Sequence, residues 1–235
     1  MARLHLLPHP LGTVDAVQTI PAGALEMLGR LRLFFVEHPK TARRLLKAAG
    51  VPAPYDHLRM EVLDKRDRGE RYPDWAHAIH QAGDAGLISE SGMPAIADPG
   101  EDFIRYLHQQ SIKIVPYAGP SALVMALAAS GLNGERFSFH GYLPVAGSAR
   151  KERLRQLEET SGREGSSQIF IETPFRNRAL FEDLCRTLRP QTWLCVAYGL
   201  QYPQEYILTQ PIQQWREVQV NWEKIPAVYI LQVPS

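Results

Sequence analysis

The 235 residues predict an α/β protein of two lobes, with a mostly parallel sheet in the N-terminal lobe and a mixed sheet in the C-terminal one. Three observations carry this. Strand-like apolar runs and helix-like apolar periods alternate from one end of the chain to the other, the signature of strand-helix-strand units. The last strand-like runs are closely spaced, which implies antiparallel pairing at one edge. Two prolines and a glycine between Pro116 and Pro120 interrupt the pattern without forming a flexible linker, so the lobes are expected at 1–117 and 118–235.

The first lobe opens with the strand "RLHLL" (3–7), a Pro/Gly loop and a helix around Ala22 to Arg32. "LFFVE" (33–37) is the next strand, and "KTARRLLKAAG" is a helix closed by Gly50, the residue type that tolerates the left-handed turn after a helix. "LRMEVLD" (58–64) is less regular. A helix then starts with Pro73 in its first turn and stops at Gly83. The strand "GLIS", a long loop, a helix to Gln110 and "IKIV" (112–115) complete the lobe.

In the second lobe "PYAGPSALVMALAASG" reads as a turn feeding a helix of small residues. It is followed by "FSFHGYLP", a basic helix from about Ala149 to Glu159, the strand "SQIFIE" and a helix from Asn177 to Leu188. The strands "TWLCVAY", "EYILT" and "AVYILQV" end the chain.

Bulk properties narrow the function classes. The chain is 45% hydrophobic and 22% charged, with a formal net charge of only +1, so a nucleic-acid partner would be held by local patches and not by a global field. Cys185 and Cys195 are too few for a disulfide framework or a zinc cage and read as reduced core thiols. The N-terminal stretch has one basic residue and an apolar run broken by Pro8 and Pro10, unlike a targeting signal, and "LVMALAA" falls far short of a membrane span. A cytoplasmic protein without a membrane association is expected.

In an open parallel sheet, ligands bind beyond the carboxyl ends of the strands, and three irregular loops fall there: "PHPLG", "ESGMPAIADPG" and "PYAGPS". The second has about a dozen residues where a simple strand-to-helix connection needs two to six. Gly92 and Ser91 let a ligand approach the main chain, while Pro94 and Pro99 stiffen the turn. The alternative is a long structural loop capped by Asp98 and Gly100. No G-x-G-x-x-G follows the first strand and no G-x-x-x-x-G-K-[ST] occurs, which favours a ligand without a pyrophosphate. His77 and His80 lack a third metal ligand, so no metal is expected, and Ser89 and Ser91 lack the elbow of a hydrolase. Two basic runs follow loops at the expected ligand end: Lys40, Arg43, Arg44 and Lys47, and Arg150, Lys151, Arg153 and Arg155. They are either solvated helix faces or contacts to an anionic substrate.

Five motifs in order carry a resemblance over nearly the whole chain: "HPLGT" (9–13), "SESGMPAIADPG" (89–100), "AGPSA" (118–122), "GYLP" (141–144) and "IETPFR" (171–176). They match T-P-I-G-N, S-D-A-G-T-P-L-I-x-D-P-G, P-G-P-S-A, a Gly-x-Leu-Pro turn and Y-E-S-P-H-R. The chain thus resembles the tetrapyrrole methylase superfamily of S-adenosylmethionine-dependent methyltransferases, most closely the branch that methylates a cytidine ribose 2′-hydroxyl in small-subunit ribosomal RNA. The resemblance implies two α/β lobes with S-adenosylmethionine in a cleft between them, usually in a homodimer. It implies that Pro10, Gly92, Met93, Pro94 and Ile96 line one side of the donor, Ser121 and Ala122 another, and that Ile171, Ala197 and Ala227 come from the second lobe.

Departures fall on the acceptor side. E-D-T-R-x-T of that branch is "EHPKTA" here, keeping Glu37 and placing Lys40 at the arginine, and A-R-E-L-T-K is "AYGLQY" (197–202). Glu37 is the candidate to orient or deprotonate an acceptor hydroxyl, its alternative being a carboxylate that pairs with Arg43 or Lys40. Lys40, Arg43, Arg150, Arg153, Arg155 and Arg176 are the candidate substrate contacts. Three functions follow: methylation of RNA, methylation of a small molecule such as a tetrapyrrole, and binding of S-adenosylmethionine or S-adenosylhomocysteine without catalysis.

Overall fold

A computed structural model describes residues 1–64, 66, 69–222 and 224–234, and the chain divides into two compact units, 1–121 and 122–235. The first holds strands β1 (Arg3–Leu7), β2 (Leu33–Val36), β3 (Arg59–Val62), β4 (Asp84–Ile88) and β5 (Lys113–Pro116). Its helices are α1 (Ala22–Arg30), α2 (Pro39–Ala48), α3 (Tyr72–Ala82) and α4 (Glu101–Gln109). The five strands form one parallel sheet in the order β3-β2-β4-β1-β5.

Alternate residues of the central strands serve two cores. Phe34 and Val36 of β2 pack with Leu28 of α1 and Leu45 and Leu46 of α2. Leu33 and Phe35 pack with Trp75 and Ile79 of α3 and Phe103 of α4. A strand buried on both faces must be apolar at every position, which is why "LFFV" has no polar residue. The partition of the helices places a switch point in the sheet. The chain leaves β1 toward α1 on one face and leaves the adjacent β4 toward α4 on the other, so their connecting loops part at the carboxyl edge.

The second unit contains α5 (Ala122–Ser130), β6 (Phe137–Tyr142), α6 (Gly147–Glu164), β7 (Ser167–Glu172), α7 (Asn177–Thr187), β8 (Trp193–Tyr198), β9 (Tyr206–Pro211), α8 (Ile212–Trp215) and β10 (Ala227–Gln232). Its sheet runs β6-β7-β10-β8-β9 and is mixed: β6 is parallel to β7, and the remaining pairs are antiparallel. One face buries Phe170, Val196, Tyr198 and Tyr229 under α6, α7 and α8. Helix α5 packs on β8, β9 and β10.

Two differences from the sequence-based expectation stand out. "LRMEVLD" does contain a strand, β3, whose half-exposed edge position admits Arg59 and Glu61, joined by an ion pair of 2.8 Å. Helix α6 extends to Glu164, five residues beyond the expected end, because Leu157 and Ser161 continue its buried stripe until Gly165 turns the chain with φ +61°. Both cysteines are unpaired, and burial pushes Cys195 up and Cys185 to about 11, so neither is a thiolate at neutral pH. Among the described residues no helix is long and apolar enough to cross a membrane.

Candidate active site

In the first unit, loops 8–13, 89–100 and 117–121 leave adjacent strand ends and meet. His9 and Gly92 form an isolated antiparallel bridge, each donating its N–H to the other's carbonyl at 2.9 Å. The bridge lies across the switch point between β1 and β4. Ser91 Oγ adds a bond to Leu11 O at 3.4 Å. On the other flank of β1, Gly119 sits so close to Pro8 that a Cβ would fall 2.2 Å from the proline Cβ, and Met93 Sδ lies 3.3 Å from the same point. Only glycine allows this approach, which explains the Gly-Pro pair after β5.

Loop 89–100 is bent by four residues in the left-handed region, Gly92 (φ +73°), Ala95 (+64°), Ala97 (+64°) and Gly100 (+136°). For the two alanines this conformation costs about 1–2 kcal/mol each. Strain of this kind persists where surrounding structure dictates the backbone, and it clusters at functional sites. A Cβ on Gly92 would lie 3.1 Å from Leu11 and 3.5 Å from Pro120 O, so its bare main chain is part of the cradle. Pro10, Gly92 and Pro94 are buried, Met93 and Ser121 half-buried, and Ile96 is 52% exposed. The six first-unit residues expected at the donor thus sit on these three loops.

The acceptor-side candidates at these strand ends sort clearly. Glu37, at the end of β2, accepts the main-chain N–H of Glu90 at 3.2 Å, and Glu90 accepts the Thr41 hydroxyl at 3.1 Å. The two loops therefore share a carboxylate-lined rim. Lys40, Arg43, Arg44 and Lys47 are all exposed on α2, a helix without one acidic residue, whose apolar stripe Ala42, Leu45 and Leu46 is buried.

In the second unit the candidates fare unevenly. Ile171 and Ala197 flank Val228 in one cross-strand row, and this row lies on the face opposite the one packed under α6 and α7. Ala227 pairs with Glu172 and Tyr198 instead and turns its methyl into the α6–α7 core, so its side chain is withdrawn from the donor set. Ala122 is half-buried at the start of α5.

Arg150 is also withdrawn. It is buried in the second unit, with Nε 2.8 Å from Asp183 Oδ2, a second bond from Nη2 to the same oxygen and a third from Nη1 to Val145 O. A guanidinium locked between α6 and α7 is unavailable to phosphate. Arg176 is forked onto the buried Glu172 at 2.8 and 2.6 Å and reaches Leu143 O, so it braces the loops after β6 and β7. Arg153 donates to His140 Nδ1 at 3.2 Å, and His140 Nε2 meets Gln168 Oε1 at 2.7 Å. Burial, with the Arg153 charge, lowers the His140 pKa and keeps that ring neutral. Arg155 remains solvated beside Glu152.

Sequence reasoning did not single out Phe175. It is 79% exposed on the loop braced by Arg176, with Lys224 Nζ 5.6 Å from its ring centroid. Tyr142, the last residue of β6, and Val145, on the loop that follows it, are exposed as well. The available signal was the aromatic in "IETPFR" at the histidine of Y-E-S-P-H-R.

No family profile matches the chain. It is 29% identical over 214 residues to ribosomal RNA small subunit methyltransferase I of Haemophilus influenzae, covering 91% of this chain and 71% of that protein. The Escherichia coli O157:H7 protein of the same name is 27% identical over 233 residues, covering 98% of this chain and 77% of that one. Among solved structures, the methyltransferase CobJ superposes with a TM-score of 0.64 at 17% identity, covering 99% and 95% of the two chains. Uroporphyrin-III C-methyltransferase from Thermus thermophilus, crystallised with S-adenosylhomocysteine, gives 0.55 at 15% identity, covering 98% and 92%.

Proposed function

We infer that the chain is a member of the tetrapyrrole methylase superfamily and that it transfers a methyl group from S-adenosylmethionine to RNA, at a ribose 2′-hydroxyl of ribosomal type. The observation that supports the donor half is the meeting of three strand-end loops around the His9–Gly92 bridge. Pro10, Gly92, Met93, Pro94, Ile96 and Ser121 would hold the donor largely through main chain, and Ala122, Ile171 and Ala197 are the second-unit residues that the resemblance implies for the same role. The fit is chemical: a glycine-lined cradle with a buried polar atom, in a chain without a dinucleotide or P-loop motif, suits a nucleoside without a pyrophosphate. At ~0.3 kcal/mol per heavy atom, a ligand of about 27 such atoms reaches ~8 kcal/mol, or micromolar affinity.

The donor supplies an electrophilic methyl with its own leaving group, so the protein needs no nucleophile. What its residues must do is aim the acceptor, and positioning can contribute roughly 7–11 kcal/mol. Glu37, its Oε1 oriented by the Glu90 N–H, is the group to orient the ribose hydroxyl or take its proton. The four cations of α2 favour a phosphate backbone, with Arg153 and Arg155 adding to it, and Phe175 under Lys224 offers a face for an unstacked base. The reading includes action in the cytoplasm and a homodimer, for which α5, apolar all round with Val124 62% exposed, supplies an apolar face.

The test is incubation of the purified chain and tritiated methyl donor with small-subunit ribosomal RNA and protein-depleted subunits from a strain lacking it. Label in RNA is the expected result. Label only in uroporphyrinogen-type compounds replaces the acceptor, and donor binding without turnover of any acceptor replaces the enzyme with a binding protein.

A further inference from the structure

The bridge between the first and fourth strand ends contains a polar atom without a hydrogen-bond partner among the described residues. His9 is 4% exposed, and its Nδ1 lies 2.9 Å from Pro10 O. A carbonyl has no proton to give, so Nδ1 carries the hydrogen and donates it. Burial pushes the imidazole pKa below its ordinary value and outweighs the hydrogen bond to Pro10 O and, weaker still, the field of Glu90 on loop 89–100, so the ring is neutral at pH 7. Its Nε2 is then a bare lone pair, buried and without a hydrogen-bond partner among the described residues.

The buried His5 and the half-buried His140 show how unusual this is. His5 has Asp84 at 3.2 Å on Nε2 and the Tyr117 hydroxyl at 3.3 Å on Nδ1, and His140 has both nitrogens engaged. The His9 main chain is held by its two hydrogen bonds to Gly92, and the ring is tethered through Nδ1 to Pro10 O. The RNA-methylating motif has threonine at this position, so the imidazole acceptor is this chain's own departure.

We propose that His9 is a specificity-determining residue of the donor site, its Nε2 accepting a hydrogen bond from a hydroxyl or amino group of the bound sulfonium nucleoside. The proposal rests on the reading that these loops hold that nucleoside. A neutral imidazole accepts and an imidazolium does not, so affinity must fall as pH drops through the depressed pKa, and binding at acid pH must release a proton from the ring.

The experiment is calorimetric titration of S-adenosylhomocysteine into the wild-type chain, His9→Gln and His9→Phe between pH 5 and 8, with the His9 Nε2 nitrogen resonance followed by NMR. In the wild type, affinity should fall on acidification and the Nε2 resonance should move on binding. His9→Phe should bind about tenfold more weakly at pH 7.5 and lose the pH dependence, while His9→Gln, whose amide oxygen can accept, should keep more affinity without that dependence. Wild-type binding that ignores pH and leaves the Nε2 resonance unmoved overturns the proposal, even if His9→Phe does not fold, and leaves the site intact. No binding by the wild type brings down the reading of the site, and this proposal with it.

Discussion

Arg150 and Arg43 look alike in the sequence, each in a basic run on a helix, and the fold gives them opposite roles. Arg150 is buried against Asp183, and Arg43 stands in solvent on α2. Removing one partner of a buried pair costs about 3–5 kcal/mol, whereas an exposed substitution usually stays within about 0.5 kcal/mol. Arg150→Ala should therefore lower the urea midpoint strongly. The double variant Arg43→Ala/Arg44→Ala should leave the midpoint unchanged and weaken RNA binding severalfold in a filter assay. Equal effects of the two on stability would refute this division. The difference was not legible in the sequence, because Asp183 lies 33 residues away and only the packing of α6 on α7 brings it to Arg150. Ala227 was illegible for a related reason: which face of the sheet it occupies depends on its register with Glu172 and Tyr198. Arg43 was legible, since Ala42, Leu45 and Leu46 mark the buried stripe from the helical period alone.

Loops 8–13, 89–100 and 117–121 were the most readable elements, because glycine and proline report backbone demands directly. The demand at Gly119 is the tightest: a Cβ there would overlap Pro8 at 2.2 Å. Gly119→Ala should force the first and fifth strand-end loops apart, costing about 1–3 kcal/mol of stability. It should also weaken donor binding by an order of magnitude or more, measured calorimetrically on protein that remains folded by circular dichroism. Unchanged donor affinity would detach loop 117–121 from the site. Strand β3 was less readable, because an edge strand carries charge where a central one cannot, and Arg59 and Glu61 disguise its alternation. Ala95 and Ala97 gave no warning of their left-handed backbone, since that conformation is imposed by the loop and not by the residue type.

At the scale of the whole molecule, a net charge of +1 excludes a global field that draws RNA from a distance. On the RNA reading, most of the phosphate contact comes from the local row on α2, whose four cations can meet about four phosphates. The logarithm of affinity should then fall with the logarithm of salt concentration at a slope of about −3 for single-stranded RNA. A slope near zero would remove phosphate contact from the account. The measurement that most directly tests the central claim is titration of S-adenosylhomocysteine into the intact chain at pH 7.5. The account predicts one binding event per chain with a micromolar dissociation constant; a flat titration up to millimolar ligand would contradict it.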